Sequence, residues 1–375
     1  MKLSTAASFA VVLLSLLFFP THSMAQTTPK PTPPPTDDGE VYKVNSRLVI
    51  VPVSVTNAAG DPVLGLGVND FRISEENRAQ TIDAVGNAES VPLEIALLID
   101  VSGSVNPLFE LEKSAAAQFL QTVMKADDRA TIFLIGDQPI AGLERGNSAQ
   151  AADKVRSIVP SGKFTAFYDT VSSAAAYLKK SAPERSRRVI VALTDGEDNW
   201  SNLIRDAASS PYRNVDVNSL NQQKRQELRE QSAAATDTLH KTAQAKVARE
   251  LQDADTVFYV INPTGASVKL NKISMRAQAG MERFASETGG TSFLPAFLPT
   301  ATTSALENAS NDKKNMVLLD KIFKQLANEL RAQYLIQYYS EGEYPNNKYV
   351  KVNVGLTNTT GRSVKAREGY YAKSN

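Results

Sequence analysis

Three short stretches of this 375-residue chain place oxygen-bearing side chains where they could act together. Asp100-Val101-Ser102-Gly103-Ser104 follows directly on the apolar run 93–99. Asp, Ser and Ser alternate there, so an extended or turning backbone can bring their oxygens to one point above a strand end. Gly162-Lys163-Phe164-Thr165 precedes a helical pattern, with Thr165 read as its cap. Leu193-Thr194-Asp195-Gly196-Glu197-Asp198-Asn199 puts Asp195 at the end of another apolar run. An all-oxygen set with few carboxylates suits a hard cation such as Mg²⁺ or Mn²⁺, which keeps waters and accepts neutral hydroxyls. The same residue types also serve turns and helix caps, so D-x-S-x-S alone leaves both readings open.

Other chemistries are poorly supplied. There are no cysteines, which removes disulfides, thiolate catalysis and Cys-ligated metals together. A Ser–His–Asp relay needs a histidine, and the chain has two, His22 and His240. His22 lies in the leader, His240 lies in a polar insertion, and no G-x-S-x-G elbow surrounds Ser102 or Ser104. Gly162-Lys163 lacks the glycine spacing and following hydroxyl of a phosphate loop. Metal-assisted hydrolysis calls for more carboxylates than this set supplies. The expectation is therefore a protein that is not an enzyme. A net charge of +1 gives no grip on nucleic acid or anionic lipid.

The elements that must position these residues alternate. Runs 93–99, 130–135, 189–193 and 256–261 are nearly continuous apolar sequence, as in parallel strands buried on both faces. Helical patterns lie between and after them at 107–124, 166–180 and 316–331, the first with Asn106 as cap and Pro107 at its first position. This predicts an α/β fold with a doubly wound, mostly parallel sheet, whose ligands bind beyond the carboxyl ends of the strands. Short alternating strands at 47–55, 71–74 and 81–85 and again at 334–339, 349–356 and 364–371 predict a flanking β subdomain built from both terminal segments.

The domain reading is an export signal at 1–25, a proline-rich linker at 26–40, an N-terminal β segment at 41–91, the α/β domain at 92–332 and a C-terminal β segment at 333–372. The apolar run of the leader is shorter than a membrane span needs, and no second such run follows, so no membrane span is expected after signal cleavage. The predicted location is periplasmic or extracellular. Within the α/β domain, about 200–252 reads as a polar helical insertion, with Leu220, Leu228, Ala235 and Leu239 as a thin apolar stripe. It is read as a lengthened or hairpinned surface helix, with a partner-selecting insertion as the sharper alternative. Glu197 and Asp198 read as solvated turn carboxylates, and Asp169 as structural or near the site.

This constellation resembles the von Willebrand factor A family and its metal-ion-dependent adhesion site (MIDAS). The family shows D-x-S-x-S after the first strand, a Thr before a helix, and an Asp in a T-D-G turn, which Asp100, Ser102, Ser104, Thr165 and Asp195 match in order. The resemblance implies a Rossmann-like domain in which hydroxyls and carboxylates hold a divalent cation. Mg²⁺ is the first choice, with Mn²⁺ or Ca²⁺ as alternatives. One coordination position stays open for a carboxylate of a protein partner, so the implied role is metal-dependent adhesion or scaffolding. The alternatives are a metal-independent structural scaffold or a metal-assisted hydrolase. Flanking segments 62–71 and 365–371 resemble a secreted bacterial subgroup of such proteins, best known from acidobacteria.

Overall fold

The computed structural model describes residues 47–102, 107–162, 164–208, 215, 219–265 and 271–372. The chain divides into two units, Met1–Val44 and Asn45–Asn375, and the fold below is that of the second. The expected signal and linker, Ser104, and the cap assigned to Asn106 lie outside the described residues.

Four strands come first: β1 (Arg47–Asn57), β2 (Phe71–Glu75), β3 (Arg78–Gln80) and β4 (Ile82–Asn87). The α/β region opens with β5 (Leu93–Asp100), α1 (Pro107–Val123), β6 (Arg129–Ile135), β7 (Ile140–Gly146), α2 (Ser148–Arg156) and α3 (Phe167–Ser181). It continues with β8 (Arg187–Leu193), α4 (Asn202–Ala208), α5 (Gln222–Asp253), β9 (Thr256–Ile261), α6 (Lys272–Thr288), β10 (Ser292–Phe293) and α7 (Ala305–Arg331). Strands β11 (Tyr334–Ser340), β12 (Tyr349–Leu356), β13 (Arg362–Ala366) and β14 (Gly369–Tyr371) follow.

The central sheet has the order β10-β9-β8-β5-β6-β7, parallel throughout except for the antiparallel edge strand β7. Strand β5 is apolar on both faces because both faces are covered. Leu93, Ile95, Leu97 and Ile99 join one core with α1, α2 and α7, while Ala96 and Leu98 join another with α3, α5 and α6. Each such Leu or Ile side chain contributes about 1.5–3 kcal/mol on burial. After β5 the chain moves outward to β6 and β7, then returns to the opposite side of β5 as β8. The strand order therefore reverses between β5 and β8, and a crevice opens beyond their carboxyl ends. Asp100 and Thr194-Asp195 emerge there.

The insertion is anchored differently from the expected stripe. Ala235 is exposed, and Leu220, Leu228 and Leu239 are only partly covered. The second half of α5 is buried instead, through Ala243, Val247, Ala248 and Leu251. A 32-residue helix thus projects from a buried C-terminal half, which matches the lengthened surface helix.

The terminal segments form two four-stranded sheets, β13-β1-β11-β4 and β14-β12-β2-β3, around one apolar core. β1 pairs antiparallel with β11 (Val51 opposite Ile336) and with β13 (Val55 opposite Val364). Val49, Val51, Val53 and Val55 point into that core, the period of two expected of a strand covered on one face. Gly289 ends α6 at φ +82°, and a Cβ there would stand 2.8 Å from the Arg367 nitrogen. The close approach of the C-terminal segment to α6 thus requires glycine on two counts.

Candidate metal centre

Asp100 is the last residue of β5, and both its oxygens are engaged. Oδ1 accepts from the Ser102 nitrogen at 3.0 Å and from Ser102 Oγ at 2.6 Å, while Oδ2 accepts from Thr194 Oγ1 at 2.7 Å. The Thr194 bond crosses from the end of β8 to the end of β5, joining residues 94 apart in sequence. Asp195 follows, its Oδ1 accepting from the Glu197 nitrogen at 3.0 Å. Gly196 makes that turn possible at φ +72°, where a Cβ would also strike Met281 at 2.5 Å.

Asp100, Ser102, Thr194 and Asp195 line one cavity of about 110 Å³, and Phe109 and Glu112 of α1 line it too. None of its lining residues among those described is basic. Burial pushes the Asp100 carboxyl above its ordinary range, against the hydrogen bonds of Ser102 and Thr194. Burial, with Asp100 and Glu197 nearby, pushes Asp195 up to about 6. Burial and the charges of Asp100 and Asp195 push Glu112 up to about 8. Burial is the first cause of all three shifts, and for Asp195 and Glu112 neighbouring carboxylates add to it. Glu112 Oε1 is a buried atom with no hydrogen-bond partner among the described residues. Its partner-free oxygen and the cation-free lining fit a hard divalent ion. Among the described residues no three His, Asp or Glu side chains stand together as a metal-holding group, so hydroxyls and water must complete the coordination.

The other expected site residues fare differently. Ser104 lies outside the described residues. Thr165 is buried at 6% exposure but is not among the cavity's lining residues. Its carbonyl accepts from the Asn199 and Trp200 nitrogens, both at 3.1 Å, and its own nitrogen donates to Asn199 Oδ1 at 2.9 Å. Nor does Thr165 cap α3. The N-cap is Ala166, without a side-chain bond, and Asp198 Oδ2 accepts from the Tyr168 nitrogen at 2.8 Å instead. Asp198 is therefore no solvated turn carboxylate. It is 5% exposed and also accepts from the Ser201 nitrogen and hydroxyl, so a carboxylate from another loop neutralises the amino end of α3. Glu197 accepts from Ser274 Oγ at 2.6 Å, and Asp169 accepts from the Asn202 nitrogen at 2.9 Å.

Glu112 was missed by the reading of spacing. A signal was present: it falls on the stripe of Phe109, Ala116, Phe119 and Val123 that α1 buries, a charged residue where an apolar one belongs.

Residues 95–197 match the family profile of the von Willebrand factor type A domain. No curated protein matches the chain. Among solved structures it is similar to an aerotolerance-related membrane protein from Bacteroides fragilis, with 17% identity and a TM-score of 0.33 over 61% of this chain and 99% of that one. It is also similar to BatB from Bacteroides thetaiotaomicron, with 16% identity and a TM-score of 0.33 over 60% of this chain and 98% of that one. A third is the proximal thread matrix protein 1 of the mussel byssus, solved with a zinc-occupied MIDAS motif. It has 15% identity and a TM-score of 0.39 over 68% of this chain, which spans about 50% of the mussel chain.

Proposed function

We propose, from the premise that this chain carries a von Willebrand factor type A domain, that it is an exported, non-catalytic binding module that captures a carboxylate of a protein partner through a divalent cation. One observation carries the reading. Asp100 and Asp195 leave adjacent parallel strands at the point where the strand order reverses, and share with Ser102 a cavity that has no basic side chain among the described residues. Asp100, Ser102 and Asp195 would hold the ion, with Ser104 and Thr165 assigned by the resemblance. A bound Mg²⁺, Mn²⁺ or Ca²⁺ supplies an electrophilic position that an incoming anion can occupy. The protein's part is to hold its own oxygens ready. Thr194 fixes one oxygen of Asp100, and the Ser102 nitrogen and hydroxyl fix the other.

Further observations support the reading. Phe164, 53% exposed, stacks on Trp200 with ring centroids 4.1 Å apart, an aromatic platform on the loop beside Thr165. Exposed aromatic side chains of this kind anchor protein partners. The non-catalytic reading draws on His240, which is 2% exposed with Nδ1 3.1 Å from Tyr168 Oη, committed to the packing of α5 on α3. Burial pushes its pKa down to about 4. Export rests on the leader read from the sequence, and no helix among the described residues is long and apolar enough to cross a membrane.

A second reading, a scaffold with no working cation, draws on the absence of Thr165 from the cavity lining. Thermal unfolding with Mg²⁺, Mn²⁺ or Ca²⁺ separates the two. An ion at about 100 times its dissociation constant stabilises the wild-type protein by about 2.7 kcal/mol, and Asp100→Ala loses that gain. A wild-type melting temperature indifferent to all three ions would favour the scaffold.

A further inference from the structure

Glu112 stands in the second turn of α1, three residues after Phe109, and both side chains line the cavity beyond β5 and β8. This face of the helix is therefore turned toward Asp100 and Asp195. The residue is partly exposed overall, yet its Oε1 is fully buried and has no hydrogen-bond donor. A buried carboxylate oxygen without a donor is costly, and it persists in a fold when something else satisfies it. The neighbouring cation on the helix is already committed: Lys113 Nζ donates to the Ile158 carbonyl at 2.8 Å and pairs with Glu110 at 2.8 Å. The charges that bear on Glu112 are those of Asp100 and Asp195, which repel it. A structural role would bring a donor, and packing alone would bring an apolar side chain. Neither is present.

We infer that Glu112 is an outer carboxylate of the cation site, accepting hydrogen bonds from water carried by the ion and adding a third negative charge around it. The inference rests on the reading of this cavity as a cation site. Among the described residues no three His, Asp or Glu side chains stand together as a metal-holding group, which fits a Glu112 that acts through water rather than as a third direct carboxylate. Such outer partners orient a metal's bound water, and losing one costs about 10–100-fold in metal affinity. The third carboxylate also makes the ion less dependent on a partner's anion. The site then holds its cation before a partner arrives.

The test uses the full chain and Mn²⁺ alone, with calorimetric titration of wild type, Glu112→Gln, Glu112→Ala and Asp100→Ala, and melting of each in cation-free buffer. Glu112→Gln and Glu112→Ala should bind Mn²⁺ about tenfold or more weakly. Both should melt higher than wild type without cation, because a buried carboxyl oxygen with no hydrogen-bond donor is gone. Wild-type Mn²⁺ affinity in both variants, with Asp100→Ala unable to bind, would overturn this inference and leave the cation site standing. A wild-type protein that takes up no Mn²⁺ would overturn both. Variants that melt lower than wild type in cation-free buffer, or fail to fold there, would also overturn it, since a packing role predicts that sign.

Discussion

Glu75 and Glu112 are both buried acids in one chain, in opposite circumstances. Glu75, at 0% exposure in the core between the two terminal sheets, accepts from Tyr338 and Tyr370 on one oxygen at 2.7 and 2.6 Å. Its other oxygen accepts from Ser340 at 2.7 Å and Tyr344 at 3.3 Å. At the rim of the α/β sheet, Glu112 has an oxygen with no donor among the described residues, and among those residues it shares its cavity with two more carboxylates and no basic group. The β subdomain meets its buried charge from within, with hydroxyls drawn from β11, β14 and the β11–β12 loop. In the cavity of the α/β domain, Glu112 Oε1 has no such donor among the described residues. A satisfied buried anion holds architecture together, whereas an unsatisfied one is costly, and the proposal above has a cation meet that cost.

The largest effect separating the two regions is expected from Glu75→Ala. Four hydroxyl donors would lose a buried acceptor, and denaturant unfolding should show a loss of at least about 3 kcal/mol. Mn²⁺ binding per folded molecule should be unchanged. A loss below about 1 kcal/mol would mean that the tyrosines find other partners, and the contrast would fail.

Next comes pH. Without cation, Asp195 and Glu112 keep protons up to about 6 and about 8, against ordinary values of 3.8 and 4.5. The native protein then holds protons that the unfolded chain releases, so stability should fall as pH rises from about 4 through about 8. Saturating Mn²⁺ should flatten or reverse that slope, because the ion takes the place of the protons. Melting temperatures across this range, with and without Mn²⁺, check it. A flat cation-free profile would show the rim to be as well satisfied as Glu75.

The smallest effect belongs to Thr165→Val. With Thr165 outside the cavity lining, this near-isosteric change should alter stability by less than about 1 kcal/mol. It should weaken Mn²⁺ binding far less than Asp100→Ala does, in the same titration. A Thr165→Val protein as defective as Asp100→Ala would make Thr165 a direct ligand, as the resemblance assigns it.

Much of the fold is legible along the chain. The apolar runs at 93–99 and 256–261 become buried parallel strands, the terminal alternations become paired antiparallel strands, and D-x-S and T-D-G fall at strand ends. These are local properties: a period of two or 3.6, a glycine at positive φ, and a polar residue where a strand stops each follow from the backbone's own geometry. Asp100, Ser102 and Asp195 could be named for that reason.

What the tertiary structure alone decided is which distant groups meet. The pairing of β5 with β8 lets Thr194 grip Asp100 across 94 residues, and a turn brings Asp198 rather than Thr165 to the amino end of α3. Glu75 reads as an ordinary strand-end acid until four hydroxyls from 263 to 295 residues away close on it. Glu112 reads as one more helical charge until its oxygen is found buried with no donor. Whether a buried charge is satisfied depends on neighbours that folding assembles from far along the chain, and no local pattern records them.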